Sequence, residues 1–128
     1  MFAGRNLRLT IPVIAAFFCA LPCPADDANS DPAQAAGMRG GLIVQLGGQD
    51  TSAAASLSKT GRFLIHVLDP DASTTASAQR RLRENGHYGL AWAEQAHNGK
   101  RLPYAENIVN LVVISDYSVP VKELRRVL

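Results

Sequence analysis

The chain has 128 residues, 47% hydrophobic and 19% charged, which admits one globular domain and excludes a disordered or fibrous chain. Its formal charge of +2 comes from Arg5 and Arg8 alone; the rest is neutral, so nothing here argues for a nucleic-acid partner. The cluster Arg80, Arg81, Arg83 reads as the solvated face of a helix.

Residues 1–25 have the layout of a secretory signal peptide: a basic start, an apolar core from Ile11 to Leu21, and a helix-breaking exit, Pro22-Cys23-Pro24-Ala25, with cleavage expected after Ala25. The apolar run is too short to cross a bilayer comfortably, so no stable membrane span is expected after cleavage; retention as an anchor is the competing reading. Export to a periplasmic or extracellular space follows. Cys19 and Cys23 both lie in this leader, leaving the mature chain without thiols for a disulfide, a zinc site or a nucleophile. Residues 26–39, rich in Asp, Ala, Asn, Ser and Pro without an apolar period, read as a flexible linker.

The folded domain is expected over residues 40–128. Leu42 to Leu46 is a short apolar run bounded by glycines, as in a strand buried on both faces. Thr51 to Lys59 is helical and stops at Thr60-Gly61. Phe63 to Leu68 is the second strand and runs into Asp69-Pro70-Asp71. Ser73 can cap a helix that reaches Arg83 and ends at Asn85-Gly86. A weaker third strand covers Gly89 to Glu94, a stronger fourth covers Ile108 to Ser115, and Val121 to Leu128 is helical. Strands alternating with helices imply a parallel sheet with right-handed crossovers, and ligands bind such sheets beyond the carboxyl ends of the strands. The fold class is therefore α/β, a Rossmann-like three-layer α/β/α arrangement.

Gly47 and Gly48 follow the first strand, where a glycine turn brings backbone amides close to a ligand. Asp69 ends the second strand about twenty residues later, the spacing at which an acid meets ribose hydroxyls. A dinucleotide fingerprint needs glycines at the first, third and sixth positions of the turn; these hold Gly47, Gln49 and Ser52, so that reading fails.

The segments Leu102-Pro103-Tyr104, Glu106-Asn107 and the apolar run ending at Asp116 resemble the Leu-Pro-aromatic block of class I S-adenosylmethionine-dependent methyltransferases of the small-molecule, type 11 kind. Glu123 to Leu128 resembles the helix that precedes a Pro-Gly-Gly turn in that family. The resemblance covers residues 40–128 and implies a partial sheet of order 3-2-1-4. It implies S-adenosyl-L-methionine as cofactor, with Gly47 and Gly48 in the turn beside its methionine part, Asp69 (or Asp71) at the ribose and Asn98 at the adenine amine. Several positions depart from the family pattern: Gln45, Asn98 and Asn110 replace acids, and Gln49 and Thr51 replace glycines. With the leader, the domain also resembles the front of large exported bacterial proteins that continue into a quinoprotein-like propeller, which implies a truncated chain and further domains in a longer parent.

Other side chains read as structural. His66 lies inside a strand, Trp92 and Tyr88 pack the third strand, and Ser115-Asp116 closes the fourth. Asp50 can cap the helix after the turn. His87 and His97 lack acidic partners at ligand spacing, so no metal site is expected. Two functions follow: methyl transfer from S-adenosyl-L-methionine to an unknown small acceptor, without a nominated catalytic base, or a non-catalytic exported interaction domain that kept the fold.

Overall fold

A computed structural model describes residues 31–128. The leader, its proposed cleavage point and residues 26–30 lie outside the described residues. Eight elements follow: α1 (Pro32–Ala35), β1 (Gly41–Leu46), α2 (Ser52–Ser58), β2 (Phe63–Asp69), α3 (Ala72–Glu84), β3 (Ala91–Gln95), β4 (Leu111–Ile114) and α4 (Val121–Val127).

All four strands run parallel in the order β3-β2-β1-β4. Val44 pairs with His66 on one side and Val112 on the other, and Asp69 stands level with Gln95 at the carboxyl ends. Side chains alternate between the sheet's two faces. Ile43, Ile65, Val67, Ala91 and Ala93 meet Ala54 and Leu57 of α2 and Ala78 and Leu82 of α3 on one face. Val44, Leu46 and Leu68 meet Leu102, Val109, Val119 and Val127 on the other. The result is the expected three-layer sandwich with β4 at an edge. Its strand is short and Ile114 is 51% exposed, which leaves one flank of β4 open among the described residues.

Three local expectations are corrected. Within the stretch read as linker, Asp31 caps the one-turn helix α1, Ala33 is buried and Met38 packs on the core, because the Asp31 carboxylate accepts the Ala33 amide at 2.9 Å. Asp71, not Ser73, caps α3: its carboxylate accepts the Thr74 amide at 2.7 Å, while the Ser73 hydroxyl donates to the same group. The fourth strand begins at Leu111 rather than Ile108, because the preceding backbone pairs with α4 instead. Asn107 N–H donates to Arg126 O, Val109 N–H donates to Val127 O, and the Asn110 side chain accepts the Leu42 amide.

Candidate functional site

The glycine turn and the acid that ends β2 converge. The Gly48 N–H donates to Asp69 Oδ2 at 2.8 Å, and the Asp71 N–H donates to Asp69 Oδ1 at 2.8 Å. Asp69 is 6% exposed, so its carboxylate replaces water with two backbone amides. An ionised carboxylate offers about four lone-pair sites, so two remain for hydroxyl donors. Gly47 has φ +115, and a Cβ built there would stand 2.6 Å from the Asp116 amide nitrogen. Only glycine lets the end of β4 pass so close to the turn.

The turn is pinned by two residues, one noticed in the sequence only as a missing acid and one read as part of a solvated face. Gln45, buried in β1, donates its amide to Gly47 O at 3.0 Å and to Asp50 O. The acid usual at this position could not donate at all. Arg81 reaches back from α3, donating to Gly48 O at 2.7 Å and Gln49 O at 2.9 Å. Arg81 is therefore no member of a solvated face, and Arg83 also has a partner, its guanidinium lying 4.8 Å from the Tyr88 ring centre. Thr51, not Asp50, is the N-cap of α2; Asp50, one residue earlier, accepts the Ser52 amide at 2.8 Å, and its hydrogen bonds from Ser52 hold its carboxyl below the usual range. Gln49 is exposed and points to Thr74, whereas Thr51 is buried at the start of α2.

Beside the turn, beyond β2 and β3, lies a cleft of about 280 Å³. Leu68, Ala96, Leu102 and Pro103 give it apolar walls, and Glu94, Gln95, His97, Asn98 and Arg101 supply its polar rim. Asn98 thus stands in the cleft; its Oδ1 accepts the Lys100 amide at 3.0 Å, leaving one lone pair and the amide protons free. Gly47, Gly48 and Asp69 do not line it, although the Asp69 carbonyl accepts the Ala96 amide at 2.8 Å and so fixes the cleft's edge.

One wall of the cleft is anchored twice. Glu123 accepts the Leu102 amide at 2.8 Å, and Arg126 donates to Tyr104 O at 2.8 Å and to Leu102 O at 3.2 Å. The Arg126 hydrogen bond, with help from the Leu102 amide, holds the Glu123 carboxyl down at about 2. On the other side the Tyr104 hydroxyl bonds His66 Nδ1, and His66 stacks on Trp92 with ring centres 4.7 Å apart. His66 Nε2 lies 3.3 Å from Glu94 Oε2 but off the hydrogen-bonding direction, so that contact is coulombic. Burial lowers the His66 pKa, against the opposing pull of Glu94. Burial, then the Glu94 charge, pushes the Tyr104 hydroxyl above its ordinary value. His66 is a packed strand histidine, as its position predicted, but its tie to the Leu-Pro-Tyr turn left no signal in the sequence. His87 is spent on Ser58, with 2.8 Å between Nδ1 and the hydroxyl oxygen.

S-adenosyl-L-methionine, the cofactor implied by the resemblance, fits this arrangement in one half. A flat base suits the apolar walls and the two neutral amides, and the Asp69 carboxylate at the glycine turn retains acceptor capacity. At the glycine turn the carbonyls of Gly47, Gly48 and Gln49 each already accept one donor, from Gln45 or Arg81, and keep one lone pair.

The sequence matches no protein-family model and no curated protein. Its structure is similar to a Methanococcus maripaludis protein assigned as an S-adenosyl-L-methionine-dependent methyltransferase, with TM-score 0.66 and 18% identity over 76% of this chain and 47% of that one. It is also similar to a SAM-dependent methyltransferase from Aquifex aeolicus, with TM-score 0.62 and 17% identity over 76% of this chain and 57% of that one. The glycopeptide N-methyltransferase MtfA, solved with sinefungin, matches 64% of this chain and 32% of its own at 18% identity and TM-score 0.52. The chain thus spans about half the length of the first two. It has the class I methyltransferase fold.

Proposed function

We propose that this chain is a methyltransferase-like domain that binds S-adenosyl-L-methionine through its adenosyl half. The observation that carries the reading is the cleft at the carboxyl ends of β2 and β3, whose edge the Asp69 carbonyl holds. Leu68, Ala96 and Leu102 would sandwich the base, Gln95 and Asn98 would read its edge, and Asp69 would accept from the ribose. When bound, the cofactor supplies an electrophilic methyl group. The chain's own contribution would be to hold the adenosyl half still in a partly dry site. The reading extends to methyl transfer onto a small acceptor. Solved methyltransferases of this fold support it, one of them in complex with sinefungin.

A second reading has a specific observation behind it. Gln45 and Arg81 both donate into the turn, replacing the negative charge expected near a sulfonium with an amide and a cation. That favours a non-catalytic domain, exported and used for interaction, which kept the fold. Calorimetric titration of the purified chain with S-adenosyl-L-methionine separates the two. Saturable heat in the wild type that is lost in Ala96→Trp, which fills the cleft, supports the cofactor reading. Absence of saturable heat refutes it and leaves the interaction domain.

A further inference from the structure

His66 shares a face of β2 with Leu68, which lines the cleft, and both polar groups that His66 meets belong to the cleft's surroundings. Its side chain is 5% exposed, and its ring is stacked on Trp92 with the planes 23° from parallel. Nδ1 bonds the hydroxyl of Tyr104, the residue after Leu102 and Pro103 of the cleft wall. Nε2 is buried without a hydrogen-bond partner among the described residues. It lies 3.3 Å from a carboxylate oxygen of Glu94, a rim residue whose side chain is 58% exposed.

These contacts fix the neutral tautomer. An Nε2 lone pair aimed at the Glu94 carboxylate would set two acceptors against each other, so the proton sits on Nε2 and Nδ1 accepts from the Tyr104 O–H. A second proton makes Nδ1–H the donor and turns the phenol into the acceptor. It also turns the Nε2 contact into an attraction between full charges, in a place that screens them poorly. Glu94 can answer, because its carboxylate has no other hydrogen bond or ion pair among the described residues. The Tyr104 backbone cannot, because Arg126 holds its carbonyl at 2.8 Å. The remaining neighbours bring no competing charge to the ring. β1 presents Val44 and β3 presents Trp92, while Glu123 and Arg126 of α4 bind the backbone of Leu102 and Tyr104.

We propose that His66 is a proton switch for the charge of the cleft rim. With His66 neutral, Glu94 stands on the rim as an anion beside the cationic Arg101. With His66 protonated, Glu94 turns inward to pair with Nε2–H and leaves Arg101 as the rim's fixed charge. The rim thus becomes more positive as pH falls, whichever ligand the cleft takes. Burial, against the pull of Glu94, holds His66 below its ordinary 6.5, so the switch operates in mildly acidic solution.

The test follows the His66 ring by nuclear magnetic resonance, and Trp92 by fluorescence, in the purified full chain as pH is lowered. Trp92 is the only tryptophan, and an imidazolium stacked on it quenches its emission. The expected result is one step below pH 6.5, shared by the ring shifts and the emission, with far-ultraviolet circular dichroism unchanged. Nuclear Overhauser contacts between the His66 ring and the Glu94 methylenes should strengthen through the same step. Glu94→Gln should lower the midpoint by about half a pH unit or more, and Glu94→Lys should lower it further. His97→Asn, which removes the rim's other imidazole, should leave the step in place. Should the Lys variant fail to fold, the Gln variant alone decides. A ring that stays neutral until the chain unfolds, a midpoint indifferent to the charge at position 94, or a step without the new Glu94 contacts overturns the proposal.

Discussion

Replacing Asp69 with asparagine is the sharpest perturbation of the junction between turn and sheet. The wild-type carboxylate accepts two backbone amides, from Gly48 and Asp71, each at 2.8 Å. Asparagine keeps one acceptor oxygen and turns an amide group toward the other donor, so one of the two N–H groups loses its partner in a buried place. A hydrogen bond to a charged acceptor is worth roughly 1.5–3 kcal/mol, and an orphaned buried donor costs a similar amount, so the loss is about 2 kcal/mol. In a domain of this size each kcal/mol moves the melting temperature by roughly 4–8 °C, which puts the expected drop near ~10 °C. Asp69→Ala abandons both amides and should cost about twice as much. Urea denaturation followed by Trp92 fluorescence measures the difference directly. The exposed control Glu84→Gln should stay within about 0.5 kcal/mol of wild type. A cost below about 0.5 kcal/mol for Asp69→Asn would refute the claim that this carboxylate ties the turn to the sheet.

Gly47→Ala should destabilise by roughly 1–3 kcal/mol in the same assay, because φ +115 is hostile to a side chain and the new Cβ meets the Asp116 amide. Glu123→Gln should lower stability at neutral pH, with the gap to wild type closing in acid. The folded carboxyl titrates at about 2 against an ordinary 4.5, so its contribution is complete above 4.5 and fades as pH falls toward 2. A gap that stays constant across that window would contradict the Arg126 pairing. His66 has a lowered folded pKa, so the unfolded chain binds the proton first and stability falls as pH drops below the ordinary 6.5. His66→Phe should flatten that slope; an unchanged slope would assign it to another group.

The parallel sheet was legible because apolar runs, glycine stops and strand-end acids occur in a fixed sequence, and each reflects a local constraint; its order came from the family resemblance. The meeting of Gly48 and Asp69 followed from that order: neighbouring parallel strands with right-handed crossovers bring their carboxyl ends together. Arg81 was illegible for the converse reason. Nothing local distinguishes it from Arg80 one residue earlier, yet one points to solvent and the other onto the carbonyls of Gly48 and Gln49. Gln45 was noticed as a missing acid, but its reversal into a donor needed the carbonyl positions. The start of β4 was overextended because Ile108-Val109 looks like strand by composition, whereas the α4 carboxyl end competes for its amide. The clamp of Glu123 and Arg126 on Leu102 spans more than twenty residues, a distance at which periodicity carries no information.

The account turns on where a ligand sits. Amide chemical shifts of the isotope-labelled chain, recorded as adenosine is added, address this most directly. The account predicts saturable shifts at Gln95, Ala96, Asn98 and Leu102, and at Gly48, whose N–H donates to the Asp69 carboxylate. Shifts confined to the turn, or to the far ends of the strands, would contradict it.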